Sequence, residues 1–169
     1  AHAEKYYHSA ELKHLGALIP KTVTLLPREG NPPPRIVETP AGMLNAIGLD
    51  NPDIDGFISD KLPGYRKIGV PLIISVMGKT DEEIAALVGK VQQQGGVAAI
   101  ELNLSCPNLQ HKVLTAQDAG ATRQMVRAAK TVSRLPVIAK LSPNVTDIAE
   151  IALRSEERRV GKECIAVCR

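Results

Sequence analysis

The sequence predicts an α/β fold built around a parallel sheet, and three observations support this prediction. Short apolar runs alternate with longer amphipathic segments along residues 1–153, a pattern typical of repeated βα units. Three of the apolar runs end in a polar side chain, at Lys21, Asn103 and Lys140. The 169 residues are 44% hydrophobic and 23% charged, which describes a soluble globular chain with enough apolar material for a core.

We interpret the pattern as four βα units. The first strand is expected over residues 16–22, and the Pro- and Gly-rich run over 27–35 is too irregular for a helix. That run predicts a substrate-side loop or hairpin. The other expected elements are a helix over 53–66, a strand over 71–76, a helix over 80–93, a strand over 97–104, a helix over 116–132, a strand over 136–141 and a helix from 146 onward. Thr80 and Glu83 have the spacing of a capping box.

The C-terminal segment 154–169 departs from this pattern. A charged run interrupts the helix periodicity at Arg154, and Arg154–Cys164 resembles the in-frame translation of a widely used sequencing adapter. We therefore expect one folded domain over 1–153 and a non-native tail over 154–169, the alternative being a charged, solvated helix end. The tail holds five basic and three acidic side chains, so the net charge of +3 is weak evidence for an anionic partner.

The composition narrows the possible functions. No stretch is long enough to span a membrane, and no segment resembles an export signal. Four scattered aromatic residues argue against base stacking on nucleic acid. Cys164 and Cys168 lie in the tail, so Cys106 is the one thiol of residues 1–153, and neither a disulfide framework nor a metal site is expected. Because the chain starts at Ala1, we expect it to begin inside a longer gene product.

The loop after the strand over 97–104 is where chemistry is expected. Cys106 lies in this loop between Asn103 and Asn108, and the following proline prevents the strand from continuing. Lys21 and Lys140 stand at the same end of the predicted strands, which in a (β/α)8 barrel is the active-site face. Two cations there suit a phosphate, a carboxylate or a reduced flavin. The alternative for each lysine is a surface side chain whose stem covers apolar surface.

Four segments resemble the dihydroorotate dehydrogenase family in their order and spacing. They are Arg28–Arg35, Asn45–Leu49, Asn103–Asn108 and Lys140–Val145. The resemblance covers nearly all of residues 5–153 and implies an FMN-containing (β/α)8 TIM barrel. Because such barrels usually take about 250 residues, roughly half of one is expected here.

The resemblance also implies an activity, the oxidation of dihydroorotate to orotate in the de novo synthesis of pyrimidines. FMN would accept the hydride from C6, and Cys106 would be the base that removes the proton from C5. With cysteine at this position the chain resembles the soluble class of the family, and residues 39–45 and 141–144 resemble the NAD-linked branch of that class. That branch implies a cytoplasmic homo- or hetero-oligomer whose electron-transfer subunit carries FAD and an iron–sulfur cluster. The alternative for Cys106 is an inert buried thiol.

Site residues are carried over from the same segments. Asparagines suit a pyrimidine because an amide offers both a donor and an acceptor. Substrate contacts are expected from Lys21, Asn45, Ala46, Ile47, Gly48, Leu49, Asn103 and Asn108. Flavin contacts are expected from Lys21, Thr22, Asn103 and Lys140. Ser75 stands where the family often has asparagine, which weakens the expectation of a flavin contact there.

Two other functions fit part of the pattern. Dihydropyrimidine dehydrogenase shares the barrel and the loop cysteine, although Asn108 and the segment Asn45–Leu49 favour dihydroorotate as the substrate. A truncated product without catalysis is the second alternative. Because half a barrel leaves strand edges and apolar helix faces uncovered, we expect a chain of this length to bind FMN poorly or to aggregate.

Overall fold

The computed structural model describes residues 10–105, 114–155 and 164–167. Strands and helices alternate through most of this part of the chain. In order, the elements are a 3-10 helix (Ala10–His14), β1 (Ile36–Thr39), β2 (Gly42–Asn45), α1 (Ile54–Gly56), a π-helical segment (Phe57–Lys61), α2 (Leu62–Arg66), β3 (Leu72–Val76), α3 (Asp81–Gln92), β4 (Val97–Asn103), a 3-10 helix (Thr115–Gln117), α4 (Ala119–Val132), β5 (Val137–Leu141), α5 (Ile148–Ser155) and β6 (Cys164–Val167).

The four strands β3, β4, β5 and β6 form one parallel sheet in chain order. This confirms the predicted α/β class, since the helices α3, α4 and α5 provide the connections between successive parallel strands. Sequential order without a reversal is the arrangement found in a barrel. The last strand, β6, lies within the segment expected to be non-native.

The predicted first strand is present only as two isolated bridges. Leu18 pairs in parallel with Leu72, and Val23 pairs in parallel with Val76. Pro20 lies between them and has no N–H to donate, which explains why the ladder is not continuous. The segment nevertheless lies beside β3 and extends the parallel arrangement by one strand position.

One face of the sheet is apolar and packs against the helices. On β4, Ile100 and Leu102 are fully buried in the same apolar cluster as residues from all three covering helices. The main helix residues of this cluster are Ile84, Leu87, Val88 and Val91 of α3, Val126 and Ala129 of α4, and Ile151 of α5. Because side chains alternate along a strand, Glu101 and Asn103 project from the opposite face.

Side-chain caps fix where α3 and α4 begin. The Thr80 hydroxyl accepts a hydrogen bond from Glu83 N at 3.3 Å, as the capping-box prediction requires. The Glu83 carboxylate, however, accepts from Lys79 N rather than from Thr80 N. Helix α4 begins at Ala119, later than predicted, because Asp118 accepts from Ala121 N at 2.7 Å and caps it after a separate 3-10 turn.

The helix predicted over 53–66 is confirmed, with a local irregularity. Asp53 caps it by accepting from Gly56 N at 2.7 Å. A π-helical segment interrupts it at Phe57–Lys61, where Leu62 N donates to Phe57 O. Pro63 follows directly, and because its ring displaces the carbonyl four residues earlier, a wider turn accommodates it.

The run 27–35 is an irregular loop, and the hairpin of this region comes after it. Strands β1 and β2 pair antiparallel as a two-stranded sheet separate from the parallel one. Four large apolar side chains of this hairpin are at least half exposed: Ile36, Val37, Met43 and Leu44. Across the described ranges, no helix is both long enough and apolar enough to cross a membrane.

Candidate active site

Four buried polar side chains form a hydrogen-bonded chain at the carboxyl edge of the parallel sheet. Asn103 Nδ2 donates to Thr22 Oγ1 at 3.0 Å, and Thr22 Oγ1 lies 2.9 Å from Ser75 Oγ. Ser75 Oγ donates to Glu101 Oε1 at 2.6 Å. Three successive strand positions thus contribute to one polar cluster, which we call the strand-end chain (Thr22, Ser75, Glu101 and Asn103).

Strand register explains why these side chains meet. Ser75 and Glu101 are paired residues of β3 and β4, and the Val23–Val76 bridge places Thr22 beside Ser75. Each is at most 8% exposed, so the hydrogen bonds replace lost hydration in an interior where an unpaired polar group is costly. The polar side chains on this face of the sheet are therefore stabilised by hydrogen bonds to one another.

One acceptor of the strand-end chain has no hydrogen-bond partner among the described residues. Asn103 is 6% exposed, and its Oδ1 atom is buried without a hydrogen bond among the described residues. Its Nδ2 atom is already occupied by Thr22. A buried carbonyl oxygen without a donor is unfavourable, so this atom marks a place where a ligand donor would be stabilising.

The two predicted lysines lie at the same edge. Lys140 is the register partner of Asn103 on β5, so its side chain emerges from the same face of the sheet. Lys21 directly precedes Thr22, and both lysines are half-buried. The structure therefore places the backbones of Lys21, Thr22, Asn103 and Lys140 in one strand-end region, with Ser75 hydrogen-bonded to Thr22.

The segment 45–49 makes hydrogen bonds to the loop over 27–35. Asn45 ends the exposed strand β2, and no hydrogen bond among the described residues links its side chain to the parallel sheet. Ala46 N donates to Arg35 O, and Ala46 O accepts from Asn31 Nδ2. Ile47 O accepts from Asn31 N at 3.1 Å. These bonds hold the segment against the loop over 27–35, and its substrate contacts stay a prediction.

Gly48 has a conformation that requires glycine. Its φ is +77°, and a Cβ added there would lie 2.5 Å from the backbone nitrogen of Asn31. Leu49, the next residue, is also left-handed at φ 62°, so the backbone turns sharply here. We expect Gly48→Ala to lower the free energy of unfolding of the full-length protein by about 2 kcal/mol or more.

The matched control for this prediction is Gly42→Ala in β2. Nothing lies within 4 Å of a Cβ added at Gly42 and its φ is not in the left-handed region. Denaturant unfolding should therefore change little for Gly42→Ala. Equal stability of the two variants would contradict the assignment of strain to Gly48.

Asn51 is a structural residue that the sequence interpretation missed. Its Oδ1 accepts from Thr24 N and from Asp53 N, both at 3.1 Å, and its Nδ2 donates to Leu49 O at 2.7 Å. It is 6% exposed and joins the segment after the first strand to the turn before α1. An Asn-Pro-Asp run ahead of a helix is a turn signal that could have revealed it.

Glu101 was also missed as a site residue. The available signal was an acid two residues before Asn103 in an otherwise apolar strand, since alternation places both on one face. Ser75 is buried between Glu101 and Thr22, so its hydroxyl has a structural role whatever it contacts in a complex. Cys106 and Asn108 lie outside the described residues.

A small cavity of about 200 Å³ lies near this region. Its lining comes from residues 24–28 and 77–79 and from Glu83, which follow the first strand and β3. The lining does not include Lys21, Asn103 or Lys140. The described residues contain no cluster of three or more His, Cys, Asp or Glu side chains suited to a metal ion.

Comparison with known families accounts for this arrangement. The model of the family described as dihydroorotate dehydrogenase matches residues 1–167. The chain belongs to the dihydroorotate dehydrogenase family. Membership confirms the resemblance seen in the four sequence segments, and it makes the chain part of an oxidoreductase family. It also implies the TIM-barrel class, of which the structure shows the consecutive parallel strands.

The curated relatives carry the name of one branch of the family. The chain is 50% identical over 151 residues to a protein of Desulforudis audaxviator. The aligned residues make up 89% of the chain and 49% of the relative. It is 52% identical over 145 residues to a protein of Endomicrobium trichonymphae, and these residues make up 86% of the chain and 47% of the relative. Each is named dihydroorotate dehydrogenase B (NAD(+)), catalytic subunit. The predicted likeness to the NAD-linked branch is confirmed, and the chain spans about half the length of these relatives.

Proposed function

We propose that the full-length protein containing this chain oxidises dihydroorotate to orotate in pyrimidine synthesis. The observation that carries the proposal is the family match over residues 1–167, and the buried, unpartnered Asn103 Oδ1 at the strand ends supplies a site for it. In this proposal residues 1–153 are about half of a (β/α)8 barrel, with the active site at the carboxyl ends of the strands.

The strand-end region fits an FMN cofactor. Asn103 Oδ1 offers a buried acceptor for a ring N–H, and Lys21 and Lys140 offer positive charge at the same edge. We assign Lys21, Thr22, Asn103 and Lys140 to flavin binding, with Ser75 as a weaker candidate. When bound, FMN supplies the acceptor for the hydride that leaves C6 of dihydroorotate.

Side chains of this chain would handle the proton and the substrate. Cys106 Sγ, as the thiolate, removes the proton from C5 of dihydroorotate. A free thiol has a pKa of about 8.5, so neighbouring cations or hydrogen-bond donors must favour the thiolate at neutral pH. Asn45, Asn103 and Asn108 would read the donors and acceptors of the pyrimidine ring, and the backbone of residues 46–49 would approach its carboxylate.

Electrons would leave through a second subunit. The relatives are named as NAD(+)-linked catalytic subunits. We therefore propose a cytoplasmic assembly in which a partner subunit carries FAD and an iron–sulfur cluster. Neither nucleic acid nor a membrane is part of this proposal.

The tail 154–169 is proposed to be non-native. Helix α5 extends through Ser155, and Cys164–Val167 pairs with β5 as β6. An apolar tetrapeptide of any origin could pair with the uncovered edge of a parallel sheet, since that edge presents free N–H and C=O groups. Resequencing the source DNA across the Arg154 codon tests this. Continuation into further βα units would support the proposal, and the same tail in independent reads would refute it.

We expect the 169-residue chain to bind FMN poorly. The strands that usually carry the barrel phosphate site are outside it, and its sheet edges and apolar helix faces lack the covering of a closed barrel. Ultrafiltration with FMN, followed by absorbance of the retained protein, measures the bound fraction. A soluble yellow preparation with stoichiometric flavin would contradict this prediction.

Anaerobic reduction of the full-length protein tests the activity. Adding dihydroorotate should bleach the flavin absorbance, whereas dihydrouracil, which lacks the carboxylate, should not. Reduction by dihydrouracil alone would instead favour a dihydropyrimidine dehydrogenase activity. A full-length protein that binds flavin and reacts with neither compound would refute the proposed function.

A further inference from the structure

Glu101 is a buried acid to which the proposed reaction gives no role. It is 6% exposed, and its side chain shares a face of β4 with Asn103. Burying a carboxylate is costly unless hydrogen bonds compensate it, and Ser75 Oγ donates to Oε1 at 2.6 Å. The acid is therefore held at the strand ends by its hydrogen bond from Ser75.

The carboxylate fixes the direction of every hydrogen bond in the strand-end chain. A carboxylate can only accept, so the single hydroxyl proton of Ser75 points to Glu101. Ser75 Oγ must then accept from the Thr22 hydroxyl, 2.9 Å away. Thr22 Oγ1, having given its proton to Ser75, must accept from Asn103, and the Nδ2 atom at 3.0 Å is the donor.

This direction determines which end of the Asn103 amide faces a ligand. With Nδ2 engaged by Thr22, Oδ1 is the atom left without a partner. If the amide rotated by half a turn, Thr22 would have to donate to Oδ1 and could no longer donate to Ser75. Ser75 cannot reverse to compensate while its proton is held by Glu101.

We infer that Glu101 is a positioning residue, which orients Asn103 through Ser75 and Thr22 so that Oδ1 is presented as an acceptor to a pyrimidine N–H. The inference rests on the proposed function for the identity of the ligand. Ring N–H groups flanked by carbonyls occur in orotate and in the flavin ring, and both have the donor that this geometry selects.

Replacing Glu101 with an apolar residue should allow the side-chain amide of Asn103 to rotate. Without an acceptor at residue 101, the original direction leaves the Ser75 hydroxyl proton unpaired. In the reversed direction Ser75 donates to Thr22 and Thr22 donates to Asn103 Oδ1, so the reversed direction is favoured. Nδ2 would then face the ligand N–H, and two donors would oppose each other. We expect about a tenfold loss of affinity, the equivalent of one hydrogen bond in a buried site.

The test uses the full-length protein with the variants Glu101→Leu and Glu101→Gln. The control is Ile100→Val, which alters the same strand on its helix-facing side. One arm measures Kd for FMN on the flavin-free protein by flavin fluorescence. The other measures Kd for orotate on the FMN-loaded protein by the shift in flavin absorbance. A tenfold increase in Kd for Glu101→Leu in one arm identifies the flavin or the orotate as the source of the N–H.

Glu101→Gln should restore only part of the affinity, because its Oε1 can accept from Ser75 but its Nε2 can also donate and so no longer enforces one direction. A structural role alone would lower Tm for Glu101→Leu and leave both Kd values of the folded fraction unchanged. If Glu101→Leu does not fold, Ser75→Ala breaks the chain at a smaller side chain and should raise the same Kd. The inference is overturned if the variant that folds matches Ile100→Val in both arms.

Measurements on the wild-type protein distinguish the proposed function from the role of Glu101. Flavin reduction by dihydroorotate in the wild type tests the proposed function, whereas the comparison among variants tests only Glu101. Wild-type activity with unchanged Kd values in Glu101→Leu would remove the positioning role and leave the proposed function intact.

Discussion

Replacing Cys106 with serine in the full-length protein is expected to slow reduction of the flavin by dihydroorotate by about 10²–10⁴-fold at neutral pH. The thiol is the proposed base for the C5 proton, and a serine hydroxyl is a far weaker acid that is almost entirely protonated there. Anaerobic stopped-flow absorbance measures this step directly. Because the serine must ionise to act, the rate of the variant should rise with pH beyond the range in which the wild-type rate levels off.

The control for this experiment is Cys106→Ala, which removes the base altogether. It should be as slow as Cys106→Ser at neutral pH but should not regain rate at high pH. Orotate affinity should change much less than the rate in both variants, since the base acts in the transition state. A wild-type rate in Cys106→Ser across the pH range would remove Cys106 from the mechanism.

Most of the fold could be predicted because its signals are local. Strands β3, β4 and β5 are apolar runs bounded by turns, and they occur within one residue of the predicted limits. The start of α4 could not be placed as well, because Ala116 to Val132 has a continuous helical composition. Only the Asp118 cap separates the 3-10 turn from the helix, and its effect depends on the backbone geometry.

Some features of the candidate site could also be predicted from the sequence, and others could not. Lys21, Asn103 and Lys140 could be predicted because strand ends in a parallel sheet meet at one edge. The hydrogen bond between Ser75 and Glu101 could not, since strand alternation predicts only the face of Glu101 and the bond joins residues 26 apart in sequence. Asn51 likewise acts on Thr24, 27 residues away. Pairings of this length depend on tertiary contacts that no local pattern encodes.

Lys140→Met is expected to produce the second large effect on catalysis. Lys140 lies beside Asn103 in the register of β4 and β5, at the edge where the flavin is proposed to bind. Its charge would stabilise the anionic reduced flavin, so its removal should make reduction less favourable and shift the flavin potential to more negative values. Losing one preorganised electrostatic group of this kind costs about 10²–10³ in rate, which stopped-flow absorbance would detect.

Lys79→Met provides the matched control, because Lys79 is an exposed cation that follows β3 at the same edge of the sheet. Both variants lose one positive charge and gain the same side chain, so any general effect of net charge on the potential appears in both. A field that acts over the short distance from Lys140 should shift the potential in that variant alone. Equal shifts in the two variants would instead assign the effect to overall charge, and the proposed contact between Lys140 and the flavin would be wrong.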